Sequence, residues 1–246
     1  MYDLSKKNWV LFNYLDWNAY FKRNDKRRLE LDFDKEKELS QEDKDKIFKS
    51  IAAFQLGEHS DGIYLGKLAN KFAEKEKEEL YPETMNLFIK EENYHSAYLA
   101  WYMDHYGVKK TERNKLDKIF RTLRHNGNLF TEISVLVTAE IIALSYYSAL
   151  GNVADKIGSP ALRAICNQML HDELPHIVFQ SYTLSFFSNN NLVKLYRKVL
   201  MDCATLAVYC MYGNVLRDGG YNYKRFRKEN IGYLNQSLFI VDMNGI

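Results

Sequence analysis

Proline is nearly absent from this chain, with 3 in 246 residues, and glycine is sparse at 12, so little material exists for many tight turns. Cysteine is scarce and oddly numbered. Cys166, Cys203 and Cys210 form no Cys-x-x-Cys, which excludes a disulfide framework and a rubredoxin-type or zinc-ribbon site. A reducing, cytoplasmic interior is the expected setting. An excess of one charge is missing too: Lys+Arg 34 faces Asp+Glu 32, and a net +2 marks the chain for neither nucleic acid nor a membrane surface. No apolar run reaches the roughly 18 residues a membrane span needs, and Met1 to Asn8 lacks the apolar core of a signal sequence. Gly-rich nucleotide loops, flavin motifs and Fe–S cysteine sets are absent as well.

What the chain has is apolar residues at helical spacing, 46% of the total, enough for one sizeable all-α core spanning residues 1–246. Trp9, Val10, Leu15, Trp17 and Phe21 predict a first helix from about Leu4 to Tyr20. Ser40 with Asp43 is a plausible cap for a helix that runs through Ile47, Phe54, Ile63 and Leu68 and dissolves at Glu74 to Glu79. Pro82 opens the next, which stops near Gly107. Thr111 caps a further one, broken at Asn126-Gly127-Asn128, and a strongly apolar helix follows from Leu129 to Leu150, ending at Gly151. Ser159-Pro160 starts a helix to about Ser188, and Leu192 to Leu216 forms the last. Tyr221 to Ile246 shows no strong period and reads as irregular.

Against this background one pattern occurs twice: Glu91-Glu92-Asn93-Tyr94-His95 and Asp172-Glu173-Leu174-Pro175-His176. Three residues are nearly one helical turn, so Glu92 and His95, and again Glu173 and His176, project from one face and can share a metal ion. Glu58 and Glu140 lie 34 and 33 residues upstream of the two motif glutamates, a spacing that lets two antiparallel helices bring each pair level. Four helices would then aim four carboxylates and two imidazoles at one point, the donor set of a dinuclear carboxylate bundle occupying about residues 41–188. A single Glu-x-x-His also arises on solvated helix faces, and a metal-free bundle would pair its buried acids with Lys or Arg. Metal ligation explains all six residues together, because a lone Glu140 among Val137, Ile141 and Ile142 would lose several kcal/mol of solvation.

The acids before each ligand glutamate add a second layer. A ligand histidine commonly gives its outer ring proton to a carboxylate, so Asp172 is expected to orient His95 and Glu91 to orient His176. Leu136, Val137, Ala143 and Leu144 around Glu140, with Phe54 one turn before Glu58, form an apolar wall. Ala143 leaves either a small gap where O2 and part of a substrate could approach, or ordinary core packing. Lys224-Arg225-Phe226-Arg227-Lys228 either docks an acidic carrier or is a solvated basic surface.

On these residues the chain resembles the ferritin-like di-iron carboxylate superfamily over about residues 45–188. Glu91 to His95 is similar to the Glu-Glu-Asn-Arg-His motif of the soluble acyl-carrier-protein desaturases, and Ala164-Ile165-Cys166 through Asp172, Glu173 and His176 is similar to their second motif. The ligand order is also that of ribonucleotide reductase small subunits, bacterial multicomponent monooxygenases, aldehyde-deformylating oxygenases and bacterioferritins. The resemblance implies a ferritin-like four-helix bundle with added N- and C-terminal helices, and two iron ions, or a manganese and an iron. It also implies O2-dependent oxidation of a small-molecule or carrier-bound substrate by an oxidoreductase of monooxygenase or desaturase type, with electrons from an external reductase. A homodimer is compatible with it, and a ferroxidase or iron-handling protein is the alternative. Ala143 stands where the desaturases carry a hydroxyl. Met169 stands where the arylamine N-oxygenases carry an extra histidine, so an N-oxygenase here would lack that ligand. In several members an upstream Trp joins the Asp–His pair as an electron path, and Trp17 is at a comparable distance; its other reading is a core aromatic.

Overall fold

A computed structural model of the chain describes residues 1–60, 62–110 and 128–245. Among the described residues the fold is all-α, with two short 3-10 turns and eight helices: α1 (Tyr14–Asn24), α2 (Gln41–Glu58), α3 (Ile63–Glu76), α4 (Tyr81–His105), α5 (Leu129–Ile157), α6 (Pro160–Leu184), α7 (Asn191–Asp218) and α8 (Tyr223–Asn244). The helix expected from Thr111 lies outside the described residues.

The starts are set by local chemistry. Asn13, Ser40, Asn128, Ser159, Asn190 and Asn222 each accept a backbone N–H of the first turn through the side chain, satisfying donors with no intrahelical partner. Pro82 and Pro160 occupy first-turn positions where a missing N–H costs nothing.

α2 and α4 pack antiparallel: the Gln55 amide donates to Ser96 Oγ at 2.8 Å while the Ser60 backbone N–H donates to Asn93 Oδ1 at 3.1 Å. α5 and α6 are antiparallel as well, with Gln180 beside Glu140 at one level and Gly151 against Arg163 at another. Contacts between α4 and α6 join the two pairs into one core, and α1 lies along α4. α7 and α8 pack over α5 and α6.

Five expectations are corrected. The N-terminal helix is shorter, because Leu4–Lys6 and Asn8–Leu11 are 3-10 turns and α1 begins only after the Asn13 capping box. The single helix expected from about 41 to about 74 is two, since Gly62 adopts φ +69° and turns the chain between α2 and α3. α5 passes through Gly151 and ends at Gly158, whose φ of +70° is the left-handed helix stop. Residues 223–244 are helical rather than irregular. Asn230 and Ser237 sit on the buried stripe of α8, paired with Thr205 and Arg197, and these polar positions dilute the apolar period.

The fifth correction concerns apolar length. α5 and α7 are each long and apolar enough to cross a membrane by length and composition, with 18-residue windows of mean hydropathy 1.6 and 1.4. Isolated charged or polar residues interrupt a strict apolar run without lowering the average. The α5 window is 89% buried in the protein, as suits a core helix, and that of α7 is 44% buried.

Candidate metal centre

Each expected ligand reaches the centre from a different place on the scaffold. Glu58 is the last residue of α2, Glu92 and His95 lie mid-way along α4, Glu140 on α5, and Glu173 and His176 on α6. None of the six is more than 9% exposed. Their donor atoms converge in two groups, Glu58, Glu92, His95 and Glu173, and Glu92, Glu140, Glu173 and His176, with the atoms of each group within 4.8 Å of one another. Glu92 and Glu173 belong to both groups. The arrangement is therefore two adjoining sites that share two carboxylates, each with one imidazole and one carboxylate of its own.

Both imidazoles turn Nδ1 inward. His95 Nδ1 is 3.6 Å from Glu92 Oε1 and 3.5 Å from Glu173 Oε1. His176 Nδ1 is 2.9 Å from Glu92 Oε1, 3.6 Å from Glu173 Oε2 and 3.7 Å from Glu140 Oε2. Close as they are, His95 Nδ1, His176 Nδ1, Glu92 Oε1 and both oxygens of Glu173 make no hydrogen bond among the described residues. The 2.9 Å approach of His176 to Glu92 is out of line for one. These atoms point at common positions between them rather than at each other, as ligands do around an ion.

The outer atoms are held by a second set of residues. Asp172 Oδ2 lies 3.0 Å from His95 Nε2; with the proton on Nε2 the carboxylate accepts, and the Nδ1 lone pair is left for the interior. Asp172 also accepts from Gln168 and lies 2.9 Å from His171 Nδ1. Glu91 faces His176 Nε2 across 3.9 Å, which corrects the expected hydrogen bond. Its Oε1 accepts instead from Asn24 of α1 at 2.8 Å, and this drawing outward explains the gap. Glu58 Oε1 accepts from the Tyr147 hydroxyl at 2.6 Å and Glu140 Oε1 from Gln180 at 2.8 Å. Gln180 and Asn24 escaped the sequence reading. Gln180 had a signal: it lies one turn beyond His176, a polar group on the ligand face of an apolar helix.

The electrostatics describe a cluster short of positive charge. Burial, then the neighbouring Glu92, pushes the Glu58 carboxyl far above its usual range, and burial followed by Glu140 does the same to Glu173. Glu140 goes the other way: burial opposes its charge, but Glu173, His176 and Gln180 together outweigh it. Burial alone would discharge His95, yet Asp172, Glu92 and Glu58 raise its pKa to about 9. His176 is raised too, against burial, by Glu92, Glu140, Glu173 and Glu91. Without a cation the cluster must retain protons, the behaviour of ligands that exchange protons for metal.

The wall residues Leu136, Val137, Ala143, Leu144 and Phe54 are all buried. Phe54 stacks on Tyr146 with centroids 3.6 Å apart, and Tyr147 packs edge-on to it. Two clefts, about 480 and 400 Å³, open on the surface between α2 and α7 and along α4, and neither is lined by these five residues. Trp17 is a buried aromatic against Phe21 and Phe179, and Phe21 in turn lies 5.9 Å from the His176 ring. It therefore stands on the His176 side and not beside the Asp172–His95 pair. In the basic segment Phe226 is buried, and Arg225 and Arg227 pair with Glu229 and Asp202. Comparison with models of known families, with curated proteins and with solved structures finds no match for the chain.

Proposed function

We propose that this chain is a ferritin-like di-iron protein that binds two metal ions, iron or a manganese–iron pair, between α2, α4, α5 and α6, and uses them to oxidise a small organic or acyl substrate with O2. The observation that carries the reading is the set of buried, unbonded Nδ1 and carboxylate atoms that converge without satisfying one another. Oxygen-rich ligation with one imidazole per ion suits iron, and the pair of ions when bound supplies the electrons that activate O2. The protein's own residues do the rest. Glu92 and Glu173, common to both groups, would help hold both ions, Asp172 would keep His95 in the tautomer that leaves Nδ1 free for one of them, and Tyr147 and Gln180 fix Glu58 and Glu140. A casing of Phe21, Phe54, Phe88 and Phe179 keeps bulk water from the cluster, a condition for directing an oxidant at a substrate. Electrons for repeated turnover come from a separate reductase, since the sequence carries no flavin, nucleotide or Fe–S motif.

The reading is tested by loading the protein anaerobically with ferrous iron and admitting O2. Uptake is expected to be about stoichiometric with the iron pairs and then to stop until a reductant is added. Continued uptake with accumulation of many tens of ferric ions per chain as a soluble mineral would replace the oxygenase by a ferroxidase.

A further inference from the structure

Outside the metal cluster the most unusual surface is the outer face of α7. Leu192, Leu195, Val199 and Leu206 are 76%, 57%, 53% and 51% exposed, and Cys203 and Cys210 are exposed with them. Steps of three or four residues put them on one face, about 27 Å long at 1.5 Å per residue. No charged side chain interrupts that face. Its composition is that of a buried helix, yet less than half of its most apolar window is covered. Isolated apolar residues on a surface are ordinary; a continuous stripe marks a site of association.

The stripe is complementary to itself. Reversing the helix about position 201 sets Leu192 against Cys210 and Val199 against Cys203, a larger side chain against a small one in each, and stacks Tyr196 on Leu206 between them, so apolar groups meet along its whole length. A two-fold axis perpendicular to α7 also keeps like edges together. The edge facing α8 carries Lys194, Lys198 and Asp202, of which Lys194 is held by Asp242 and Asp202 by Arg227. Lys198 is exposed and makes no ion pair among the described residues. In the reversed pairing it falls within about 3 Å along the axis of Asp202 of the partner subunit, and each subunit repeats the contact. A lipid surface would call for a surplus of free cations beside the apolar stripe, and the edge offers only Lys198, next to an acid.

We propose that this face is the interface of a two-fold symmetric dimer in which α7 packs antiparallel on α7 of a second copy, in a register centred near residue 201. The proposal is independent of the metal chemistry. Light scattering on the full chain during size-exclusion chromatography should give twice the single-chain mass of 29.0 kDa. Leu195→Glu and Leu206→Glu, both at exposed positions, should each return it to the single-chain mass with the helical circular dichroism unchanged. The register has its own test. In a Cys210→Ser background, Val199→Cys should raise the yield of covalent dimer on mild oxidation, and adding Cys203→Ser should abolish the gain. A single-chain mass up to about 100 µM would overturn the proposal, as would a dimer indifferent to both glutamates or a Val199→Cys yield no higher than background. A single-chain protein that binds phospholipid vesicles, and loses that binding on Leu195→Glu, would overturn it in favour of a membrane-facing surface.

Discussion

On the α4 side of the cluster His95 gives Nε2 to Asp172 at 3.0 Å; on the α6 side His176 faces Glu91 across 3.9 Å. The two halves repeat one pattern in sequence, acid, Glu, two residues and His, and the backbone presents both alike. The difference comes from what lies outside. Asp172 is braced by Gln168 and His171 and remains aimed at its imidazole, whereas Glu91 is claimed by Asn24 on α1. The remaining carboxylates differ in the same way: a phenol holds Glu58 and an amide holds Glu140. A duplicated motif thus yields two unequal sites, and the inequality is set by residues outside the repeat.

The largest effect should come from a residue common to both halves. Glu173→Leu is expected to eliminate binding of both ions, while Glu140→Leu leaves about one per chain, as metal analysis after anaerobic loading will show. The same Glu173→Leu should raise the melting temperature of the metal-free protein, because it removes a buried carboxylate that has no hydrogen bond. Lower apo-stability would mean that Glu173 serves the fold and not an ion.

Next in size is the contrast between the outer acids. Asp172→Ala should weaken metal affinity by about 10–100-fold, the usual scale for losing the group that orients a ligand histidine. Glu91→Ala should cost clearly less. Equal losses would show that the 3.9 Å separation closes when metal binds.

The pH dependence follows from the raised groups. A group whose pKa is higher in the folded than in the unfolded state stabilises below its unfolded value and loses that contribution as pH rises through the folded one. His95 moves from 6.5 to about 9, and Glu58 and Glu173 are also raised, so the metal-free protein should become less stable between pH 6.5 and 9. Glu140 and Asp172 are shifted downward and are ionised throughout that window in both states. Thermal melts of the apo and metal-loaded forms across this range check the sign: the apo curve should fall and the loaded curve should not follow it.

The smallest effect is assigned to Tyr147→Phe. It deletes one hydrogen bond to Glu58 and should leave two ions bound, with affinity at the site formed by Glu58 and His95 reduced by no more than about tenfold.

All six converging residues and the partnership of Asp172 with His95 were legible in the sequence, because helical periodicity is local and 34- and 33-residue spacings translate directly into helix level. The Glu91 gap was not legible, since it depends on where α1 docks Asn24, a contact 67 residues apart. The split at Gly62 was hidden because apolar spacing continues across it, and a single left-handed glycine redirects the chain without altering composition. α8 was missed for the opposite reason: its buried stripe includes Asn230 and Ser237, which hydrogen-bond to α7 and so look like surface residues until the partner helix is in place. The apolarity of α7 lay in the sequence too, but only burial separates it from α5.

The central claim, that six buried side chains form two adjoining metal sites, is tested most directly by anaerobic titration of the metal-free protein with ferrous iron, counting the ions bound per chain. The account predicts about two, falling to about one in His95→Ala and again in His176→Ala, with the ions in the wild type within about 4 Å of each other by X-ray absorption. A count near zero, or two ions still bound when both histidines are replaced, would contradict it.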